Sequence, residues 1–112
     1  MIYEDGKLSA MAQALEQPMR EWLKMKEVVD RFDRGKASVL AKCFLRTEGD
    51  TMKEREMIAL ADREYTAFLE EWHTSAMVAN DKRVTYETRL NMYYAYQSEL
   101  AYLRDSMKRL GG

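Results

Sequence analysis

The sequence predicts an all-α protein: two long antiparallel helices, a helical hairpin or coiled coil, joined by a short helical connector and assembling as an oligomer. Three observations carry this. Tyr65, Trp72, Ala79, Tyr86, Tyr93, Leu100 and Met107 recur at every seventh residue without a miss, which requires one uninterrupted helix of roughly 45 residues, about 70 Å long. Leu69, Ala76, Arg83, Leu90, Gln97 and Arg104 form a flanking row and complete a seam with polar breaks. Only 5 Gly and 1 Pro leave few places to turn.

In chain order, the 112 residues read as a single all-helical domain. Residues 1–8 are an extended lead. A helix over 9–46 follows, with Ser9 as its N-cap and an apolar stripe through Met11, Leu15, Trp22, Met25, Val29, Phe32, Val39 and Cys43. Pro18 lies on that stripe; it either kinks the helix or, with Gln17 ending one turn, is the first helical residue of a new one. Gly35 weakens the helix by about 1 kcal/mol relative to Ala, but the stripe continues past it in phase.

Residues 47–62 hold a turn and a short helix. Gly49 suits a left-handed C′ position. Thr51 and Glu54 have capping-box spacing before the run through Met57, Ile58 and Leu60. Asp62 is placed to cap the last helix, 63–110, whose weakest helical point is Asn80-Asp81. That helix carries Phe68, Val84, Tyr94, Tyr96, Tyr102, Leu103 and Leu110 off its main rows, more apolar surface than one partner helix covers. Self-association is therefore expected, with Trp72, Tyr86, Tyr93, Tyr96, Leu100, Leu103 and Met107 at the oligomer interface.

Composition argues against most chemistry. One Cys and one His cannot build a zinc site in one chain, and one Cys fits a reducing cytosol. Cys43, on the apolar stripe, reads as a buried inert thiol, and His73 as a packing or surface residue. Glu70-Glu71 and the Glu54/Glu56 pair read as solvated helix faces. No phosphate-binding glycine loop or nucleophile elbow is present. The expectation is no enzyme, no cofactor and no metal. No apolar run is long enough to span a membrane, and MIYEDGKLSA lacks the apolar centre of a signal peptide, so a cytoplasmic location is expected.

What remains is charge placement. Net charge is −1 with 33% charged residues, so any basic site must be local. Residues 31–46 carry Arg31, Arg34, Lys36, Lys42 and Arg46 against Asp33 alone, a local balance of +4. Phe44 stands beside them, and Lys53 and Arg55 follow the turn. Cations neutralise phosphates and an aromatic ring stacks on an unpaired base. The bland alternative is a solvated helix face held by ion pairs four residues apart.

Trp22-Leu23-Lys24, the run Val39-Leu-Ala-Lys-Cys-Phe-Leu-Arg-Thr-Glu-Gly49, and Leu60-Ala-Asp62 opening a long aromatic-rich helix give the chain a layout. It resembles that of the small helical recombination mediators of phages, the UvsY type, over about residues 20–110. The resemblance implies single-stranded-DNA binding, ring assembly through the C-terminal helices, and loading of a recombinase onto strands coated by a single-strand-binding protein. It points to Lys42 and Arg46 as DNA contacts, with Lys36 and Arg34 nearby. Cys43 and Phe44 depart from the fully basic cluster such a site would have.

The leading expectation is thus a non-enzymatic, homo-oligomeric single-stranded-DNA-binding accessory of recombination or replication. A helical protein-interaction module, such as an inhibitor of a host enzyme, and a coiled-coil scaffold are the alternatives.

Overall fold

The computed structural model describes residues 5–111. Four helices account for nearly all of them: α1 Asp5–Gln13, α2 Glu16–Leu45, α3 Met52–Leu60 and α4 Arg63–Gly111. No strand occurs among the described residues. The all-helical class with two long helices and a short connecting one stands. None of these helices is long and apolar enough to cross a membrane.

The first expectation needing correction is the lead. Residues 5–8 are helical and Ser9 lies inside α1 rather than capping a helix; residues 1–4 fall outside the described residues. The second is Pro18. The chain neither kinks there nor starts a helix at residue 18; it breaks at Ala14-Leu15 and restarts at Glu16. Pro18 has no N–H to offer the Ala14 carbonyl, and its ring crowds that position, so the break falls one turn upstream. Within the first turn of α2 the missing donor costs nothing, and the Met19 N–H resumes the ladder on the Leu15 carbonyl at 3.1 Å. Pro18 itself is buried.

The connector forms for the expected reason, with one change. Thr51 Oγ1 accepts from the Glu54 N–H at 3.1 Å, while the Glu54 carboxylate reaches back to the N–H of Asp50, not of Thr51, at 3.3 Å. Gly49 is not left-handed, for no described glycine has positive φ. Its role is space: a Cβ there would lie 2.9 Å from Cγ of Arg55. Asp62 caps α4, its carboxylate accepting from the Glu64 N–H at 2.8 Å.

The chain divides into two compact units, Leu23–Asn80 and the remainder, residues up to Trp22 together with those from Asp81 onward. In the Leu23–Asn80 unit, α2 and α4 run antiparallel. Lys42 meets Glu64, and Phe32, further back on α2, meets Phe68, further along α4, with ring centroids 5.2 Å apart. Its core is Cys43, Ala59 and Tyr65, flanked by Val39, Leu40, Phe44 and Leu69. Ala59, with no side-chain exposure at all, lets α3 approach closely.

The other unit is antiparallel as well. Trp22 stacks on Tyr86 with centroids 5.6 Å apart, Lys82 pairs with Glu21 at 3.3 Å, and the Lys7 ammonium lies over the Tyr96 ring at 4.6 Å. The seven-residue row of α4 is inward-facing through Leu100, which is only 4% exposed; Met107 is exposed.

Gly35 offers a direct test of helix packing. Its added Cβ would meet only the Phe68 ring at 3.9 Å, an ordinary contact. Gly35→Ala is therefore expected to stabilise the chain by about 0.5–1 kcal/mol through helix propensity and a less flexible unfolded chain. A urea midpoint that fails to rise would mean the α2–α4 spacing at Phe68 is tighter than this geometry.

Candidate nucleic-acid interface and ion-pair cluster

At about 100° per residue, Arg31, Arg34, Lys42 and Arg46 fall on one face of α2, whereas Lys36 and Phe44 do not. The structure bears out that division by contacts. Lys36 turns to α4, its ammonium 5.8 Å from the Trp72 ring centroid. Phe44 is half-buried, covered on one side by the Arg55 guanidinium at 4.6 Å. Arg55 also donates to Thr47 Oγ1 at 3.3 Å. On that side a base could stack on Phe44 only by displacing Arg55.

The four cations that share a face are not equivalent. Arg31 and Arg34 both reach Glu27, at 3.4 and 3.2 Å, and their side chains are 70% and 64% exposed. One carboxylate for two guanidiniums leaves a net positive charge facing solvent. Lys42 and Arg46, by contrast, tie α2 to the start of α4: Lys42 pairs with Glu64 at 3.0 Å, and Arg46 with Asp62 at 3.3 Å and Glu64 at 2.7 Å. Two cations meet two carboxylates, and little charge is left over.

Electrostatics follow the same contacts. The Asp62 carboxyl is held below its ordinary range first by the Glu64 backbone N–H and then by the Arg46 charge. Glu64 is lowered chiefly by the Lys42 hydrogen bond, with Arg46 adding to it. Arg46 is raised, first by its hydrogen bond to the Cys43 sulfur and then by the two carboxylates. Opposite charge and a hydrogen bond to the ionised form act together here.

Cys43, Asp62 and Glu64 place ligand atoms within 4.8 Å of one another, a spacing that would suit a metal ion. The Arg46 guanidinium stands in that place: it donates to Cys43 Sγ at 3.4 Å as well as to both carboxylates. This trio is an ion-pair cluster around a fixed cation.

Sequence reasoning missed the counter-charges. Glu27 stands four residues before Arg31 on the same helix and was legible as an i,i+4 partner. Asp62 and Glu64 lie on another helix and carried no such signal. Of the residues expected at an oligomer seam, Trp72, Tyr86, Tyr96 and Leu100 face the chain's own helices, and Tyr93 is half-buried with its ring 5.8 Å from Tyr94. Leu103 and Met107 are exposed, at 36% and 47%.

A second feature of the Leu23–Asn80 unit is an open apolar groove of 480 Å³ between α2 and α3, lined by Leu40, Ala41, Phe44, Met52 and Leu60 with Glu56 the one charged residue in its wall. Met52 is 64% exposed there and Leu60 51%.

Comparison with known proteins returned no matching family model, no matching curated protein and no matching solved structure.

Proposed function

We propose that this chain is a non-enzymatic, self-associating accessory protein that binds the phosphate backbone of single-stranded DNA along the outer face of α2, in the manner of a recombination mediator. The observation that carries this reading is the Arg31–Arg34 pair, two guanidiniums sharing one carboxylate on an exposed helix face. Lys42 lies further along that face, 65% exposed despite its Glu64 contact. Each protomer offers few uncompensated cations, so a single copy binds weakly. Linked copies raise the effective concentration of the second contact, and avidity supplies the rest.

The test is fluorescence anisotropy with a labelled single-stranded oligonucleotide across a salt series. Affinity is expected to fall as salt rises. Arg31→Ala combined with Arg34→Ala is expected to lower the log–log salt slope by about 1.4, roughly 0.7 for each phosphate contact on a single strand. This pair is chosen because it leaves the Lys42, Arg46, Asp62 and Glu64 contacts in place. An unchanged slope would remove the α2 face as the site.

The apolar groove between α2 and α3 favours a second reading, a protein-interaction module. A wild-type chain that ignores the oligonucleotide at low salt would turn the assignment to that groove.

A further inference from the structure

The outward face of α4 in the unit that begins at Asp81 differs from the outward face of α2. On α2 that face is charged, with Lys24, Glu27, Arg31, Arg34 and Lys42. On α4, Val84, Thr88, Asn91, Ala95, Ser98 and Tyr102 alternate by four and three, opposite the inward row of Tyr86, Tyr93 and Leu100. Every one of the six is exposed, and none is charged. In a chain that is 33% charged, five helical turns without a charge along the centre of a solvent face call for an explanation. Large apolar side chains border or end that row: Val84 is 48% exposed, Met92 60%, Tyr94 53% and Tyr102 71%.

We infer that this face is the contact between two copies of the chain, packed antiparallel about a two-fold axis at Asn91. The inference rests on the self-association proposed above and names its surface. Charge is the argument for a second copy as occupant. In a contact between identical faces, a charge near the axis meets its own image, so a self-pairing face has to be neutral along its centre. The charges that border the row are Asp81, Glu87 and Glu99, and Glu87 already pairs with Arg83 at 3.1 Å. An antiparallel arrangement brings Glu87 near the Tyr94 hydroxyl of the other copy, and places Glu99 between the Thr85 hydroxyl and Asp81 of the other copy at the exposed rim, so the like charges stay off the centre of the contact. Asn91 meets Asn91 on the axis, where a paired amide fixes register. Antiparallel packing also sets opposite ends of the two helix dipoles side by side.

The area is sufficient. Two tyrosines, a methionine and a valine exposed to about half or more offer on the order of 500 Å² per copy. Both copies together then reach about the 1,000 Å² that a specific interface needs. Ala95 and Ser98 allow the helices to approach closely. An isologous contact of this kind closes at two copies, so any larger assembly needs a second, different surface.

Light scattering on the wild-type chain and on Asn91→Arg, where the added charge meets its own image on the axis, tests the inference, with circular dichroism to confirm that helix content is kept. The arginine sits at an exposed position, so folding is expected to be unaffected while the mass falls by half. Thr88→Arg gives the same reading about one turn from the axis. Asn91→Cys under mild oxidation is expected to give a linked dimer, whereas Ser98→Cys links only when mixed with Val84→Cys; Cys43 is fully buried and does not compete. A wild-type oligomer whose mass survives both arginines, with no link through position 91, overturns this surface and leaves self-association standing. A monomeric wild type overturns both. Ready linking of Ser98→Cys with itself would overturn the antiparallel arrangement.

Discussion

Tyr65→Ala is expected to cost about 3–5 kcal/mol of stability, the range for removing a large aromatic from a packed site. Tyr65 is 4% exposed and packs in one cluster with Cys43 and Ala59, both fully buried, so it links α2, α3 and α4. Few side chains among the described residues are buried so completely, and the loss falls where three helices meet. No neighbour can refill the space easily: Ala59 and Cys43 are small, and Val39 and Leu69 are held on their own helices. At about 4–8 °C per kcal/mol for a domain of this size, the thermal midpoint is expected to drop by more than about 12 °C. Tyr65→Phe, which keeps the ring, is expected to lose less than about 1.5 kcal/mol. If the alanine variant melts within a few degrees of wild type, the cluster is not the core of that unit.

The inward row of α4 was legible because a helix writes its period into its own sequence. Tyr65, Trp72, Tyr86 and Leu100 repeat at seven and do face inward. What the repeat could not say is whose helix covers it. A heptad row looks the same whether the partner lies in the same chain or in another, so the repeat alone places Trp72 and Tyr86 equally well at an oligomer seam. In the folded chain Trp72 meets Lys36 and Tyr86 meets Trp22. The opposite face, proposed above as the contact with a second copy, is marked by missing charge rather than by an apolar repeat. Asn91 and Ser98 read as unremarkable solvent positions until the inward face is known.

The basic run was equally legible as a run and illegible as a site. Arg34 and Lys36 are two residues apart and therefore point to different sides of α2; helix geometry alone separates them. The neutralisation of Lys42 and Arg46 depends on Asp62 and Glu64, some 16 to 22 residues away. Only the antiparallel return of α4 brings those charges together. The start of α1 has a local reason for being hidden: residues 5–8, Asp-Gly-Lys-Leu, carry a glycine and no apolar repeat, so the stripe marks a helix only from Ser9 onward.

Trp22→Ala is the other substitution of large expected effect, at about 2–4 kcal/mol. The indole stacks on Tyr86 with planes 21° apart and centroids at 5.6 Å. It lies one turn beyond the buried Pro18 on the same stripe, so its removal leaves that stripe without its largest side chain. A double-mutant cycle with Tyr86→Ala is expected to return about 0.5–1.5 kcal/mol of coupling for the ring pair itself. A cost below about 1 kcal/mol would mean that the stack contributes little to holding α2 on α4 there. The substitution also isolates a reporter. The chain has 2 Trp, so Trp72, which belongs to the other unit, becomes the sole source of tryptophan fluorescence. Helices α2 and α4 each supply residues to both units without a break, and a helix ladder interrupted in one stretch loses cooperative support in the next. Fluorescence from Trp72 and circular dichroism are therefore expected to report one coincident transition, shifted together to lower denaturant. A fluorescence midpoint that stays at its wild-type value while the helical signal falls early would show the two units unfolding separately, with stability confined to each.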